Sequence, residues 1–277
     1  MPSQYRIKAD LIQGGAGKLF ALHYAPQNIT SDTECFVVAA SFAEEMNRCR
    51  YMNTMFAQQV SQFNYGFLSI DAYGTGDSEG EFKDSNWEQN CQDLLGAVTY
   101  ARTLGYQKIS ILGVRLGALQ ALQVAQETKH LQRLILWQPV ISGQAALIQF
   151  LRIRIAASMQ RGEQQETVQD LENQINSGQH ISVSGYDIGP ALFKGIKAAK
   201  FDSLVDSLVV PVGWFTVITS ADRKTPRSDM MMIEKWRQKG ARIDHQEIIG
   251  PPFWLAHERT LVPELIEATV RYVTQFY

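Results

Sequence analysis

The stretch Lys108-Ile109-Ser110-Ile111-Leu112 runs directly into Gly113-Val114-Arg115-Leu116-Gly117, and a helical apolar pattern continues from Leu116 to Glu127. The first five residues read as a strand and the last twelve as a helix, because apolar residues form a short run in one and recur every three to four positions in the other. Gly113 and Gly117 frame the turn, where glycine permits a strained backbone and close packing on both sides. Arg115 stands at the centre of that turn.

The same alternation extends outward. Tyr5–Lys8 and Lys18–Tyr24 suggest an antiparallel hairpin turning at Gly14-Gly15. Cys35–Ala40 and Gly66–Asp71 read as strands, the first apolar enough to be covered on both faces. A helix is expected over Tyr51–Phe63, and another from a cap at Asp84 or Ser85 to about Leu104. Leu134–Gln138, Val212–Thr219 and Arg242–Ile248 complete the strands, with a helix through Trp236 and a last one over Glu258–Phe276. Strands alternating with helices predict an α/β fold, a mostly parallel eight-stranded sheet with helices on both faces. Only the stretch from Ser142 to Leu204 breaks the rhythm, with helices over Ala145–Met159 and Glu166–Ile175 and a small hairpin at Ile181–Ile188. It is expected to be a lid over residues 142–205, inserted in a core of residues 1–141 and 206–277, above the sheet edge where ligands of open α/β sheets bind.

Composition narrows the function classes. The chain has 277 residues, 45% of them hydrophobic, and a net charge of -2. That balance gives no electrostatic footprint for nucleic acid. No apolar run reaches the roughly 18 residues of a membrane span, and Met1–Asp10 lacks the apolar region of a secretory signal. Three cysteines, Cys35, Cys49 and Cys91, cannot all pair and show no metal-binding spacing, so a reduced, cytoplasmic protein without metal or cofactor is expected. Gly14-Gly15-Ala16-Gly17-Lys18 fails as a phosphate loop, since the first glycine is misplaced and Leu19 stands where Ser or Thr is needed.

Arg115 occupies the centre of what would be a G-x-S-x-G nucleophile elbow. Ser220-Ala221-Asp222-Arg223-Lys224-Thr225-Pro226 follows a later strand, where an acid that orients a histidine belongs. His257 precedes the final helix, so the order elbow, acid, histidine is that of α/β-hydrolases. Asp71-Ala72-Tyr73-Gly74-Thr75-Gly76-Asp77-Ser78 resembles a turn of the same superfamily. Phe42-Ala43-Glu44-Glu45-Met46-Asn47 follows the strand whose end usually supplies an oxyanion-hole amide.

Phe42-Ala43-Glu44-Glu45-Met46-Asn47 and Gly113-Val114-Arg115-Leu116-Gly117-Ala118, with Leu136-Trp137-Gln138-Pro139-Val140, Gln149-Phe150-Leu151-Arg152 and Pro252-Phe253-Trp254, are similar to the exosortase A system-associated hydrolases, over residues 35 to 275. The resemblance implies an α/β-hydrolase fold and an exopolysaccharide or protein-sorting context. It includes the arginine of the elbow and does not carry His257.

Guanidinium is permanently protonated and is no nucleophile, so an acyl-enzyme on residue 115 is excluded. Arg115 is expected either to pair with Glu44, Glu45 or Asp222, the glutamates being favoured, or to bind a ligand anion. Asp222 reads as a triad acid or as turn chemistry, and His257 as a general base or as an ordinary helix-start residue. Two function classes stay open. One is a hydrolase or transferase on an ester, thioester or amide under the lid, with Glu44, Glu45 or Asp222 activating water and the amides of Phe42 and Leu116 forming the oxyanion hole. The other is a noncatalytic hydrolase-fold protein that binds an anionic metabolite or partner.

Overall fold

The computed structural model describes residues 5–162, 166–204 and 210–275. Strands β1 (Tyr5–Gln13) and β2 (Lys18–Pro26) form the expected hairpin, with Gly14–Gly17 as its turn. β3 (Glu34–Ala39), β4 (Gly66–Ile70), β5 (Lys108–Val114), β6 (Leu131–Trp137), β9 (Val212–Ile218) and β10 (Ile243–Ile249) follow. The eight strands form one sheet in the order β1-β2-β4-β3-β5-β6-β9-β10. β1 and β2 pair antiparallel, as do β2 and β4, while all neighbours from β4 to β10 run parallel. The α/β-hydrolase fold expected from the sequence is the fold observed.

Each face of the sheet has its own core. Helices α1 (Glu44–Gln62) and α9 (Pro263–Gln275) cover one face through Met52, Phe56, Val60, Leu265 and Val273. Helices α2 (Trp87–Thr103), α3 (Gly117–Glu127) and α8 (Arg227–Gln238) cover the other through Leu94, Leu119, Leu122, Ile233 and Trp236. Strand β3 is buried along its whole length, as its unbroken apolar run requires.

Several boundaries differ from the sequence reading, β1 reaching Gln13 and β6 beginning at Leu131. The first helix begins at Glu44 rather than Tyr51. No side chain caps it, and Glu44 and Glu45 instead place negative charge at its positive end. The second helix is capped by Asn86, whose side chain accepts from Gln89 N–H at 2.8 Å, and not by Asp84 or Ser85. The last helix starts at Pro263, not Glu258, because proline suits the first helical turn and pushes the residue before it out of helical conformation. The expected end of that helix at Phe276 lies outside the described residues.

Between β6 and β9 lie α4 (Gly143–Gln160), α5 (Val168–Asn176), the ribbon β7 (Ile181–Val183) and β8 (Tyr186–Ile188), α6 (Pro190–Ala198) and α7 (Phe201–Leu204). The expected boundary at 205/206 lies outside the described residues. The segment is clasped where it leaves the core. Ser142 and Lys200 form a β-bridge, Gly143 N–H donates to Ala199 C=O at 3.0 Å, and Phe201 N–H to Ile141 C=O at 3.1 Å. Gly143 has no room for a side chain, since a Cβ would sit 1.8 Å from the Ile196 carbonyl oxygen.

Candidate active site

Strand β5 ends at Val114, and Arg115 takes a left-handed φ of 55°, which strains a residue with a Cβ. The strain is held by backbone bonds on both sides. Arg115 N–H donates to Trp137 C=O at 3.0 Å, and Arg115 C=O accepts from Ala118 N–H at 3.1 Å and Val140 N–H at 3.0 Å. The turn presses α3 onto the end of β3. A Cβ on Gly117 would lie 2.2 Å from the Ala39 carbonyl oxygen and 2.4 Å from that of Ala40, so only glycine fits. This is the strand–elbow–helix geometry expected from the sequence, and it brings the loop after β3 beside the start of α3.

The Arg115 guanidinium is nearly fully engaged. Its Nε donates to Glu45 Oε2 and one terminal nitrogen to Glu45 Oε1, each at 3.1 Å, a two-pronged pair. The other terminal nitrogen donates to Gln138 C=O at 3.3 Å, and the indole ring of Trp254 lies 4.8 Å from the guanidinium carbon. Glu45 is thus the carboxylate that Arg115 selects among the three considered from the sequence. Asp229, in the first turn of α8, is a further acid that sequence reading missed. Burial raises its carboxyl pKa, the Ser228 hydroxyl at 2.9 Å lowers it, and the charge of Arg115 lowers it too. Its sequence signal is an acid in the helix start after Thr225-Pro226.

Glu44 is engaged differently. The Tyr186 hydroxyl donates to Glu44 Oε2 at 3.0 Å and accepts from Asn47 Nδ2 at 3.0 Å, joining the β7–β8 ribbon to the start of α1. Burial and the glutamate push the Tyr186 pKa up to about 12. Tyr186, Phe82, Phe42 and Phe150 form a chain of rings with centroids 5.0 to 5.7 Å apart.

Behind these rings is a cavity of about 60 Å³ beside the elbow, lined among others by Ser41, Phe42, Leu116, Asn90 and Gln120. The backbone N–H groups of Phe42 and Leu116 donate to no described residue. They border the cavity at the positive end of α3, where the helix dipole adds to their partial charge. Ser41 is buried against the Cys49 thiol and bonds to no histidine among the described residues.

The other two expected site residues make no hydrogen bond to this cluster among the described residues. Asp222 is exposed, and the Ser220 hydroxyl lowers its pKa. His257 is exposed and hydrogen-bonds to no described residue. The loop carrying Asp222 is fixed instead through Thr225, whose N–H and hydroxyl donate to Glu247 Oε1 at 2.8 and 2.9 Å. His245 Nε2 lies 3.0 Å from the same hydroxyl, and burial lowers its pKa. Among the described residues no group of three His, Cys, Asp or Glu side chains is placed to hold a metal ion. No described helix is long and apolar enough to cross a membrane.

The family model for serine aminopeptidases, S33, matches residues 34–187, from β3 through the elbow to the β7–β8 ribbon. The chain belongs to that hydrolase family. Asp222 and His257 fall outside the matched span of this S33 family member. Its fold is similar to that of Est1E from Butyrivibrio proteoclasticus, solved with ferulic acid, at a TM-score of 0.69 and 20% identity over 96% of this chain and 98% of that one. The esterase Pf2001 from Pyrococcus furiosus gives 0.59 and 14% identity over 98% and 90%. DcsB, solved with a substrate analogue, gives 0.64 and 14% over 99% and 100%. No curated protein matches the chain.

Proposed function

We propose that this S33-family protein holds a small neutral acyl compound, an ester, thioester or amide, in the cavity beside the elbow, without forming an acyl-enzyme. The observation that carries this reading is that Phe42 and Leu116, whose backbone N–H groups donate to no described residue, both line one cavity. Two unused N–H groups on one cavity wall would suit a polarised carbonyl oxygen. A free anion is disfavoured, because Glu45 already neutralises Arg115 and Asp229 adds a second acid nearby. In this reading Arg115 stands where a G-x-S-x-G elbow carries the nucleophilic serine, and its role is to hold the elbow loop to α1. Asp222 and His257 are remnants of triad positions. The segment 142–205 serves as the lid, contributing Tyr186, Leu192 and Ile196 to the cavity wall.

A second reading, hydrolysis or acyl transfer by water, is favoured by one contact. Among the described residues Glu44 pairs with Tyr186, Asn47 and Arg48, and Tyr186 lines the cavity, so in this reading Glu44 takes a proton from a water bound beside Tyr186. The resemblance to exosortase A system-associated hydrolases supports an exopolysaccharide or protein-sorting setting for either reading.

A panel of simple esters and thioesters separates the two. The parent chain is expected to bind acyl compounds without turnover, with activity arising only in Arg115→Ser. Turnover in the parent that is lost in Glu44→Gln would establish the second reading.

A further inference from the structure

Strand β1 ends the sheet and pairs with β2 alone. Its nine residues, Tyr5–Gln13, form a long open edge, which proteins usually shorten, cover or twist away. At the hairpin turn Gly14 N–H donates to Gly17 C=O at 2.8 Å. Counting back through the register from that bond, Arg6, Lys8, Asp10 and Ile12 turn their N–H and C=O toward β2. Tyr5, Ile7, Ala9 and Leu11 therefore turn theirs outward. Leu11 agrees: its N–H is met by its neighbour Asp10 Oδ1 at 3.0 Å and not by β2.

The side chains along this edge are equally unusual. Ile7 and Leu11 are 55% and 57% exposed, two large apolar residues on one face of an edge strand. On the opposite face Lys8 and Asp10 are 62% and 42% exposed and pair with each other at 3.3 Å. Asp10 also accepts from Tyr100 of α2 at 2.9 Å, a bond that lowers its pKa and keeps it charged.

We propose that two copies of this chain pair antiparallel through β1, with Ala9 on the two-fold axis, joining their sheets into one. The sequence Ile7-Lys8-Ala9-Asp10-Leu11 is complementary to itself about its centre. In this register Ile7 faces Leu11 of the second copy and Lys8 faces its Asp10, and both pairs occur twice. The small Ala9 side chains meet on the axis. Every outward N–H and C=O meets its counterpart, because odd-numbered residues oppose odd-numbered residues. Moving the axis to residue 8 opposes Arg6 to Asp10 twice but sets Lys8 against Lys8, and moving it to residue 10 sets Asp10 against Asp10, so only the register centred on Ala9 opposes unlike charges with no like pair. An interface shared by both copies in this way closes at two and does not propagate.

Sedimentation equilibrium on the whole chain over a concentration series tests this. The parent is expected to dimerise reversibly, and Asp10→Lys to raise the dissociation constant by at least about tenfold, because Lys8 then meets lysine twice. The exchange Lys8→Asp with Asp10→Lys restores opposite charges and should restore the dimer. A second measurement does not depend on how the charge variants fold. In Ala9→Cys the two Cα atoms would lie about 5.5 Å apart, within reach of a disulfide. Mild oxidation should give a covalent dimer, while Phe63→Cys, exposed elsewhere, should not. The native cysteines are buried and add no background. A chain that stays monomeric at every concentration, with no cross-link in Ala9→Cys, overturns the proposal. So does a dimer that ignores both the charge reversal and the cross-link position.

Discussion

Arg115 and Glu45 meet through two parallel hydrogen bonds of 3.1 Å each, tying the turn after β5 to the first turn of α1. The pair is largely shielded, with the arginine side chain 13% and the glutamate 27% exposed. Removing one partner leaves the other partly buried and unpaired. Arg115→Ala should destabilise the chain by about 2–3 kcal/mol, below the roughly 3–5 of a fully buried pair because water still reaches Glu45. A double-mutant cycle with Glu45→Ala in urea should give a coupling of about 1–3 kcal/mol. Additive losses would show that the pair contributes nothing.

A fluorophosphonate probe should leave the chain unlabelled. No serine occupies the elbow, and Ser41 is buried without a histidine partner. The Ser78 hydroxyl is occupied, donating to Asp71 C=O at 2.5 Å and accepting from Phe20 N–H at 2.8 Å. Mass spectrometry of the intact chain reads the outcome, and stoichiometric labelling of Ser41 or Ser78 would move the nucleophile to that loop.

Gly117→Ala should be among the most damaging single changes. The new methyl group would lie 2.2 Å from the carbonyl oxygen of Ala39, a backbone atom that cannot rotate away. A loss of more than about 3 kcal/mol is expected by thermal or chemical melting. A variant within half of that loss would mean that α3 slides along β3 more freely than its packing suggests.

His23 makes stability depend on pH. It is buried, hydrogen-bonded to the Tyr106 hydroxyl at 2.8 Å, and burial lowers its pKa from 6.5 to about 4. The unfolded chain therefore takes up the proton first as pH falls. The stabilising contribution is complete above pH 6.5 and is lost progressively down to about pH 4, where the folded form also protonates. The total is on the order of 3 kcal/mol. Urea midpoints measured across this window should fall more steeply for the parent than for His23→Gln, and parallel curves would remove the histidine from the account.

Much of this architecture is legible in the amino-acid order, for reasons that differ from residue to residue. The elbow is legible because two glycines at fixed spacing join a strand period to a helix period. The partner of Arg115 is legible because Glu44 and Glu45 directly follow the strand that neighbours β5. Trp254 escaped any such reading as a partner of Arg115, since its ring reaches the guanidinium from a loop far along the chain and ring position leaves no local pattern. Gln138 is similar: its carbonyl serves Arg115 while its side-chain oxygen accepts from Val217 N–H at 2.6 Å, a bridge visible only once β6 and β9 are neighbours. Asp222 and His257 show the converse. Chain order places them on the two loops of a triad, but order does not set loop conformation, and no hydrogen bond joins them among the described residues.

The clasp at Ser142–Lys200 closes the segment between them into a loop whose ends meet. Its two ends are bonded to each other, so the segment departs and returns at one place, while Tyr186 and Phe150 also pack against the start of α1 and the loop after β3. A longer or shorter excursion would change the closing entropy slowly, with the logarithm of its length. A change of length inside the clasp therefore alters what surrounds Tyr186, Leu192 and Ile196, the residues this segment gives to the cavity wall, while the strands beneath keep their pairing.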